Sequence, residues 1–184
     1  MFIRTERLFL RPGWPEDLDD LLEALSDDTI RRMTVFALPR TREEIEAYLR
    51  RPRDPHLPHF FMYRRGEQGA KLVGGIELNP YRGEVEVGYW IAPRHRGQGY
   101  ALEALRAVID WARTLGHHRL LAEHFVDNHA AIRVLEAAGF HDAGSERRRY
   151  SAGREGEAPA RLYVVDLERR AQPQAEIEDD ALSA

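Results

Sequence analysis

The chain has 184 residues, enough for one domain with its own core, and its 43% hydrophobic and 32% charged residues are the balance of an ordinary globular protein. The 27 Lys and Arg against 31 acids leave a net charge of −4, which argues against nucleic-acid binding by phosphate neutralisation, and the lack of cysteine excludes disulfides, thiolate metal sites and cysteine nucleophiles. No apolar run reaches the ~18 residues of a membrane span, and charges interrupt residues 1–7 where a secretory leader would be apolar, so no membrane partner and a cytoplasmic location are expected.

Residues 2–11 alternate with a two-residue period and predict an opening strand that Pro12 ends. Pro15 predicts a helix start, with Glu16 and Asp17 in its first turn and Leu18, Leu21, Leu22 and Leu25 on one face. Thr41-Arg42-Glu43-Glu44 fits a capping box opening a second helix, whose apolar side is Ile45, Tyr48 and Leu49. Prolines 52, 55 and 58 make the next stretch a loop. Strands are expected at 59–65, 71–78 and 84–92, joined by turns at 66–69 and 79–83. In the last of these, Val85, Val87, Tyr89 and Ile91 face away from Glu84, Glu86, Gly88 and Trp90.

A helix at 100–115 follows, with Leu102, Leu105, Val108, Ile109 and Ala112 as its stripe and Gly116 as its stop. A strand at 120–126 leads to a helix capped by Asp127-Asn128, with Ala131, Val134, Leu135 and Ala138 inward and Gly139 at its end. Segments 140–150 and 161–167 read as closing strands. Residues 1–168 form a single domain on this reading, and the polar, acidic residues 169–184 a tail. The fold class is mixed α/β, with about seven strands, mostly antiparallel, and about four helices; the late strand-helix-strand steps allow parallel pairing.

The informative run is Ile91-Ala92-Pro93-Arg94-His95-Arg96-Gly97-Gln98-Gly99-Tyr100-Ala101-Leu102: a strand ends, a glycine-rich turn follows and a helix begins at once. That geometry aims successive backbone N–H groups, backed by the helix dipole, at one spot suited to a phosphate or pyrophosphate. It is not a Walker loop, for there is no Gly-Lys pair, and Leu102 stands where a dinucleotide fingerprint needs Gly or Ala.

Read as Arg96-x-x-Gly99-x-Ala101, the run resembles motif A of the GNAT acetyltransferase superfamily. Three further segments resemble its RimJ/RimL-like branch in the same order: Thr5-Glu6-Arg7-Leu8-Phe9-Leu10-Arg11-Pro12, Glu86-Val87-Gly88-Tyr89-Trp90, and Asn128-x-x-Ala131 followed by the helix end at Gly139-Phe140. Together they cover roughly residues 2–168. The resemblance implies a sheet splayed between the fourth and fifth strands, with acetyl-CoA as co-substrate in the opening. Backbone of Tyr89, Trp90 and Ile91 would pair with the pantetheine arm. The segment Arg96, Gly97, Gln98, Gly99, Tyr100, Ala101 and Leu102 would hold the pyrophosphate, and Asn128, also a natural helix cap, would bond the arm or a water.

Acetyl transfer to an amine needs a neutral nucleophile, a stabilised thioester oxygen and a place for the thiolate. A backbone N–H freed by the splay would serve the oxygen. Glu86, Glu123, His124 and Tyr150 are candidates for proton transfer: Glu123 lies five residues before Asn128, a spacing shared with RimI-like enzymes, and Glu86 sits in the branch's Glu-x-Gly-Tyr pattern. The chain departs from related enzymes at Leu135, where RimI-like proteins carry a donor Tyr, at Ala131, where RimL-like ones carry Ser, and at Tyr150, where they carry an acid. Tyr150 would either protonate the thiolate or pack on the sheet. The alternation of a strand sends Arg148 opposite to Arg147 and Arg149, and a solvated strand is expected there. No His spacing fits a metal site. The expected activity is acetyl transfer to a primary amine, on a protein N-terminus or a small molecule, by direct attack on the thioester. The changes at Ala131 and Leu135 keep open a catalytically silent acyl-CoA-binding module, and a homodimer is compatible with either.

Overall fold

The structure, a computed structural model, describes residues 2–66 and 69–167; Glu67 and Gln68 of the expected turn and the expected tail at 169–184 lie outside the described residues. The described residues form eight strands: β1 Ile3–Arg4, β2 Leu8–Arg11, β3 His59–Arg64, β4 Lys71–Tyr81, β5 Glu84–Ile91, β6 Arg119–Phe125, β7 His141–Ser151 and β8 Gly156–Asp166. They make one sheet in the order β1-β2-β3-β4-β5-β6-β8-β7. All neighbours run antiparallel except β5 and β6. Five α-helices accompany them: α1 Leu18–Leu25, α2 Asp28–Met33, α3 Arg42–Arg50, α4 Tyr100–Thr114 and α5 His129–Ala137.

The sheet separates two cores. On one face Leu105 and Val108 of α4 and Leu135 of α5 pack on Leu8, Leu10, Met62, Val87, Tyr89, Leu120 and Ala122. On the other, Leu21 and Leu25 of α1, Ile30 of α2 and Ile45 of α3 pack on Phe61, Tyr63 and Trp90. The alternation read along 84–92 therefore holds, with Tyr89 and Trp90 buried in opposite cores.

Several expectations change. The opening strand is a hairpin, because Thr5 turns the chain: its N–H donates to the Leu8 carbonyl and its Oγ1 accepts from the Leu8 N–H, each at 3.0 Å. The segment after Pro15 begins as a 3-10 turn, Pro15–Asp17, and becomes α-helical at Leu18. Asp17 accepts from the Trp14 N–H at 2.7 Å and from the Arg11 guanidinium at 2.6 Å, which holds the chain in that tight turn. α2 escapes periodicity because six residues are too few to display a face, yet Asp27 caps it by accepting from the Thr29 N–H at 2.8 Å. The expected turn at 79–83 shrinks to Arg82-Gly83, at φ 51° and 84°, and β4 runs through Pro80, which faces Val85. β8 starts five residues early, at Gly156, opposite Ser151.

The step that matters for function is between β5 and β6. They are parallel and share a single register position, Glu86 opposite Leu121. Beyond it β5 stays with β4, Trp90 opposite Gly75 and Ile91 opposite Gly74, while β6 follows β8 up to Phe125 opposite Ala160. The ends of β5 and β6 therefore part, and the sheet opens there.

Candidate active site

The opening continues into a cleft of about 610 Å³ whose walls are the end of β5, the turn before α4, the end of β6 and the first turns of α5. Of the residues expected to hold a cofactor, Tyr89, Trp90, Ile91, Arg96, Gly97, Gly99, Tyr100, Ala101, Leu102 and Asn128 line it. Gln98 does not: its side-chain amide donates to the Arg94 carbonyl at 3.1 Å, and its own carbonyl accepts from Arg7 at 2.8 Å. Ile30, Met33 and Thr34 complete the wall from the α2 side, a contribution hidden from sequence because no pattern marks that segment. A second hollow of about 500 Å³, lined by Asp20, Glu23, Lys71 and Arg94, borders the cleft at His95.

The turn into α4 is built for an anion. Gly97 and Gly99 take φ of 72° and 81°, conformations that glycine adopts without strain. The first bond of α4 is Glu103 N–H to the Gly99 carbonyl at 3.1 Å, so the amides of Tyr100, Ala101 and Leu102 precede any intrahelical acceptor. No side chain stands over Gly97, where a Cβ would find nothing within 4 Å.

The loop is braced from behind by the β1–β2 turn. Glu103 accepts from Thr5 Oγ1 at 2.6 Å and from Arg7 through both its backbone N–H and its Nε at 2.7 Å. Burial pushes the Glu103 carboxyl up, but these bonds from Thr5 and Arg7 outweigh it and hold the group below its ordinary range. The Arg7 guanidinium also lies 4.8 Å from the Tyr100 ring centre. Thus the Thr5-Glu6-Arg7 segment and the loop at 96–102, far apart in sequence, form one unit. Asn128 caps α5 by accepting from the Ala131 N–H at 3.2 Å, and its Nδ2 donates to the Met33 carbonyl at 3.2 Å. It ties α2 to α5 across the cleft mouth.

The expected proton-transfer residues separate. Glu86 and Glu123 lie on the sheet face opposite α4 and α5, and neither lines the cleft. Glu123 is fully buried and clamped: Arg147 donates to its two oxygens at 2.7 and 2.8 Å, and Arg149 donates to Oε2. The expectation of a solvated arginine strand thus holds for Arg148, which points to solvent, and fails for Arg147 and Arg149, which share the Glu123 side of the sheet. Burial pushes the Glu123 carboxyl up, against the charge of Arg149. Glu86 has a different environment: its Oε1 is buried with no hydrogen-bond partner. Burial pushes its carboxyl up to about 7, opposed by Arg149 and aided by Glu123. Tyr150 is 61% exposed near the end of β7 and is not brought to the cleft. His124 is: it lines the cleft, and burial lowers its pKa to about 4. Among the described residues no group of three His, Asp or Glu is placed to hold a metal ion, and no helix is long and apolar enough to cross a membrane.

Known proteins share this fold. Residues 7–141 match the model of the acetyltransferase (GNAT) domain. The chain is 28% identical over 159 residues to the probable N-acetyltransferase YjcK of Bacillus subtilis, covering 79% of this chain and 87% of that one. In structure it is similar to a GNAT-family acetyltransferase of Bacillus anthracis, with a TM-score of 0.77 at 24% identity over 92% of this chain and all (100%) of that one. It is also similar to the spermidine N-acetyltransferase of Vibrio cholerae, solved with CoA and spermine, with a TM-score of 0.73 at 22% identity over 89% and 97% of the two chains. The chain belongs to the GNAT family of N-acetyltransferases.

Proposed function

We propose that the protein transfers the acetyl group of acetyl-CoA to a primary amine by direct attack on the thioester, within one catalytic domain made of residues 1–168. The observation that carries this reading is a cleft which joins an anion-cradling loop to the point where β5 and β6 part. The free amides of Tyr100 to Leu102 and the space over Gly97 suit the pyrophosphate, with Arg96 beside them, and the Gln98 carbonyl fastens the loop to Arg7. The backbone of Tyr89, Trp90 and Ile91 borders the cleft as an edge to which the amide-bearing arm adds like a strand. Asn128 has both ends of its side chain engaged within the protein, so its contribution is to fix the cleft mouth.

The chemistry divides across the sheet. The amine arrives on the face that carries Glu86, and Glu86 takes its proton. A carboxylate poised near 7 suits that role, being ionised enough to accept a proton and basic enough to hold one. Glu123, held by two guanidiniums, serves as the anchor of β7 on β6 and stabilises the charge balance around Glu86. The unpartnered Glu86 oxygen favours an enzyme over a silent CoA-binding module, since a binding module has no use for a costly unpaired carboxylate oxygen.

The decisive experiment is thiol release from acetyl-CoA across a panel of amines, with the product identified by mass. The panel spans N-terminal peptides, amino acids and polyamines. An acetylated amine formed with equimolar CoA is expected. Tight CoA binding without turnover on any amine would replace this reading with the regulatory module.

A further inference from the structure

One side chain in the cleft takes no part in cofactor binding or in proton transfer to Glu86. His124 is 4% exposed, and neither Nδ1 nor Nε2 has a hydrogen-bond partner. A buried imidazole with both nitrogens idle is costly, because each polar atom has given up water for nothing. The ring lines the cleft rather than filling the core, and its centre lies 5.2 Å from that of Tyr89.

Register locates it. Glu86 faces Leu121 at the last point where β5 and β6 meet. Three residues further along each of these parallel strands come Tyr89 and His124, so His124 stands level with Tyr89 across the opening. Its neighbours on β6, Glu123 and Phe125, turn to the opposite face, Glu123 to the arginines and Phe125 to Ala158 and Ala160. Glu86 and His124 therefore face the opening from opposite sides of the sheet. The anion-cradling loop and His124 line the same cleft, so the arm that carries the sulfur, and with it the leaving group, lies on the His124 side.

We propose that His124 donates a hydrogen bond from its neutral imidazole to the sulfur that leaves as thiolate. This rests on the acetyl transfer proposed above. The amine nitrogen bonds to the carbonyl carbon and the carbon–sulfur bond breaks, its electron pair staying on sulfur. The proton lost by nitrogen passes to Glu86. His124 keeps its own proton throughout, so the step needs no other reactant. Such a donor replaces the side chains absent at Ala131 and Leu135, both on the buried face of α5 with no group to offer.

The test compares binding of CoA with that of desulfo-CoA, which has hydrogen in place of the thiol, by calorimetry at a pH above the pKa of the free thiol, where CoA is a thiolate. Wild-type protein is expected to favour CoA by about tenfold, the effect of one hydrogen bond to a charged group. In His124→Leu that preference disappears while desulfo-CoA affinity stays, and His124→Asn, which keeps an N–H donor, retains part of it. Turnover in His124→Leu falls by about ten- to a hundredfold with the KM for acetyl-CoA unchanged. In ring-¹⁵N spectra the His124 signal moves on adding CoA and stays on adding desulfo-CoA. Equal wild-type affinity for the two ligands overturns the role of His124 and leaves the acetyl transfer standing. Binding of neither overturns both. The wild-type comparison needs no variant, so a folding defect in His124→Leu does not remove the test.

Discussion

Replacing Glu86 with Gln separates catalysis from stability in opposite directions. The carboxyl is pushed by burial from its ordinary 4.5 up to about 7, so ionising it in the folded protein costs roughly 3 kcal/mol more than in the unfolded chain. The side chain keeps some contact with water, which trims the figure to about 1–3 kcal/mol. The sign follows from linkage. The folded state holds this proton more tightly, so the group's stabilising contribution is complete below about 4.5 and is lost as the pH rises through 7. Glu86→Gln abolishes that loss. Its melting temperature is expected to match the wild type near pH 5 and to exceed it by several degrees at pH 8, at about 2–4 °C per kcal/mol for a chain of this size. Turnover moves the other way: kcat/KM falls by about 10²–10⁴-fold with acetyl-CoA affinity unchanged. The wild-type rate should climb through an apparent pKa near 7, a limb the variant lacks. Calorimetric melting at the two pH values and a steady-state pH profile are the measurements. A variant with wild-type turnover, or one less stable at pH 8, would refute the reasoning.

Glu123→Gln should behave in the reverse way: it strands two partly buried guanidiniums, costs about 2–3 kcal/mol and lowers the melting temperature by roughly 5–10 °C in a thermal melt, while the stable fraction retains most of its turnover. Acetyl-CoA at a hundredfold excess over its dissociation constant should add about 2.7 kcal/mol, visible as a rise in melting temperature, and no rise at millimolar ligand would count against the cleft as its site. Gly99→Glu places a side chain on a residue at φ 81°, with Arg7 Nη2 only 3.2 Å from the new Cβ, and puts a negative charge beside the anion cradle. CoA binding by calorimetry should be lost while circular dichroism stays native. Tyr150→Phe should leave turnover unchanged in the same assay, because the residue is exposed and apart from the cleft.

What could be read from sequence followed the strength of local signals. The capping box at Thr41, the alternation along β5 and the glycine-rich entry to α4 each depend on residues within a few positions of one another, and each appears where its pattern places it. The parallel step between β5 and β6 was only permitted by the order of elements; its single register position is a property of the folded sheet. The choice between Glu86 and Glu123 was likewise closed to sequence. Both lie on strands beside the opening, and what distinguishes them is Arg147 and Arg149, brought to Glu123 from 24 and 26 residues away by the pairing of β7 through β8. The Thr5-Glu6-Arg7 motif carried a resemblance but no reason. The reason is Glu103, 98 residues beyond Thr5, where these residues brace the loop.

The buried carboxylates point to where chemistry belongs. Asp17 is paired with Arg11 and also accepts from the Trp14 N–H; it fixes a turn. Glu77 accepts from Tyr48 at 3.4 Å, beside His59, under the loop that follows α3. Glu123 is saturated by two arginines. Each is accounted for by the structure it holds, and removing its partner would strand a charge. Glu86 differs in leaving a buried oxygen without a donor, and His124, across the opening, leaves two nitrogens without one. Unsatisfied groups of this kind are expensive. Here they lie on opposite faces of the sheet at the single place where its strands separate. A reaction that takes a proton on one side and releases a thiolate on the other needs unsatisfied groups at those two positions, and a sheet closed between β5 and β6 would give them nothing to act on.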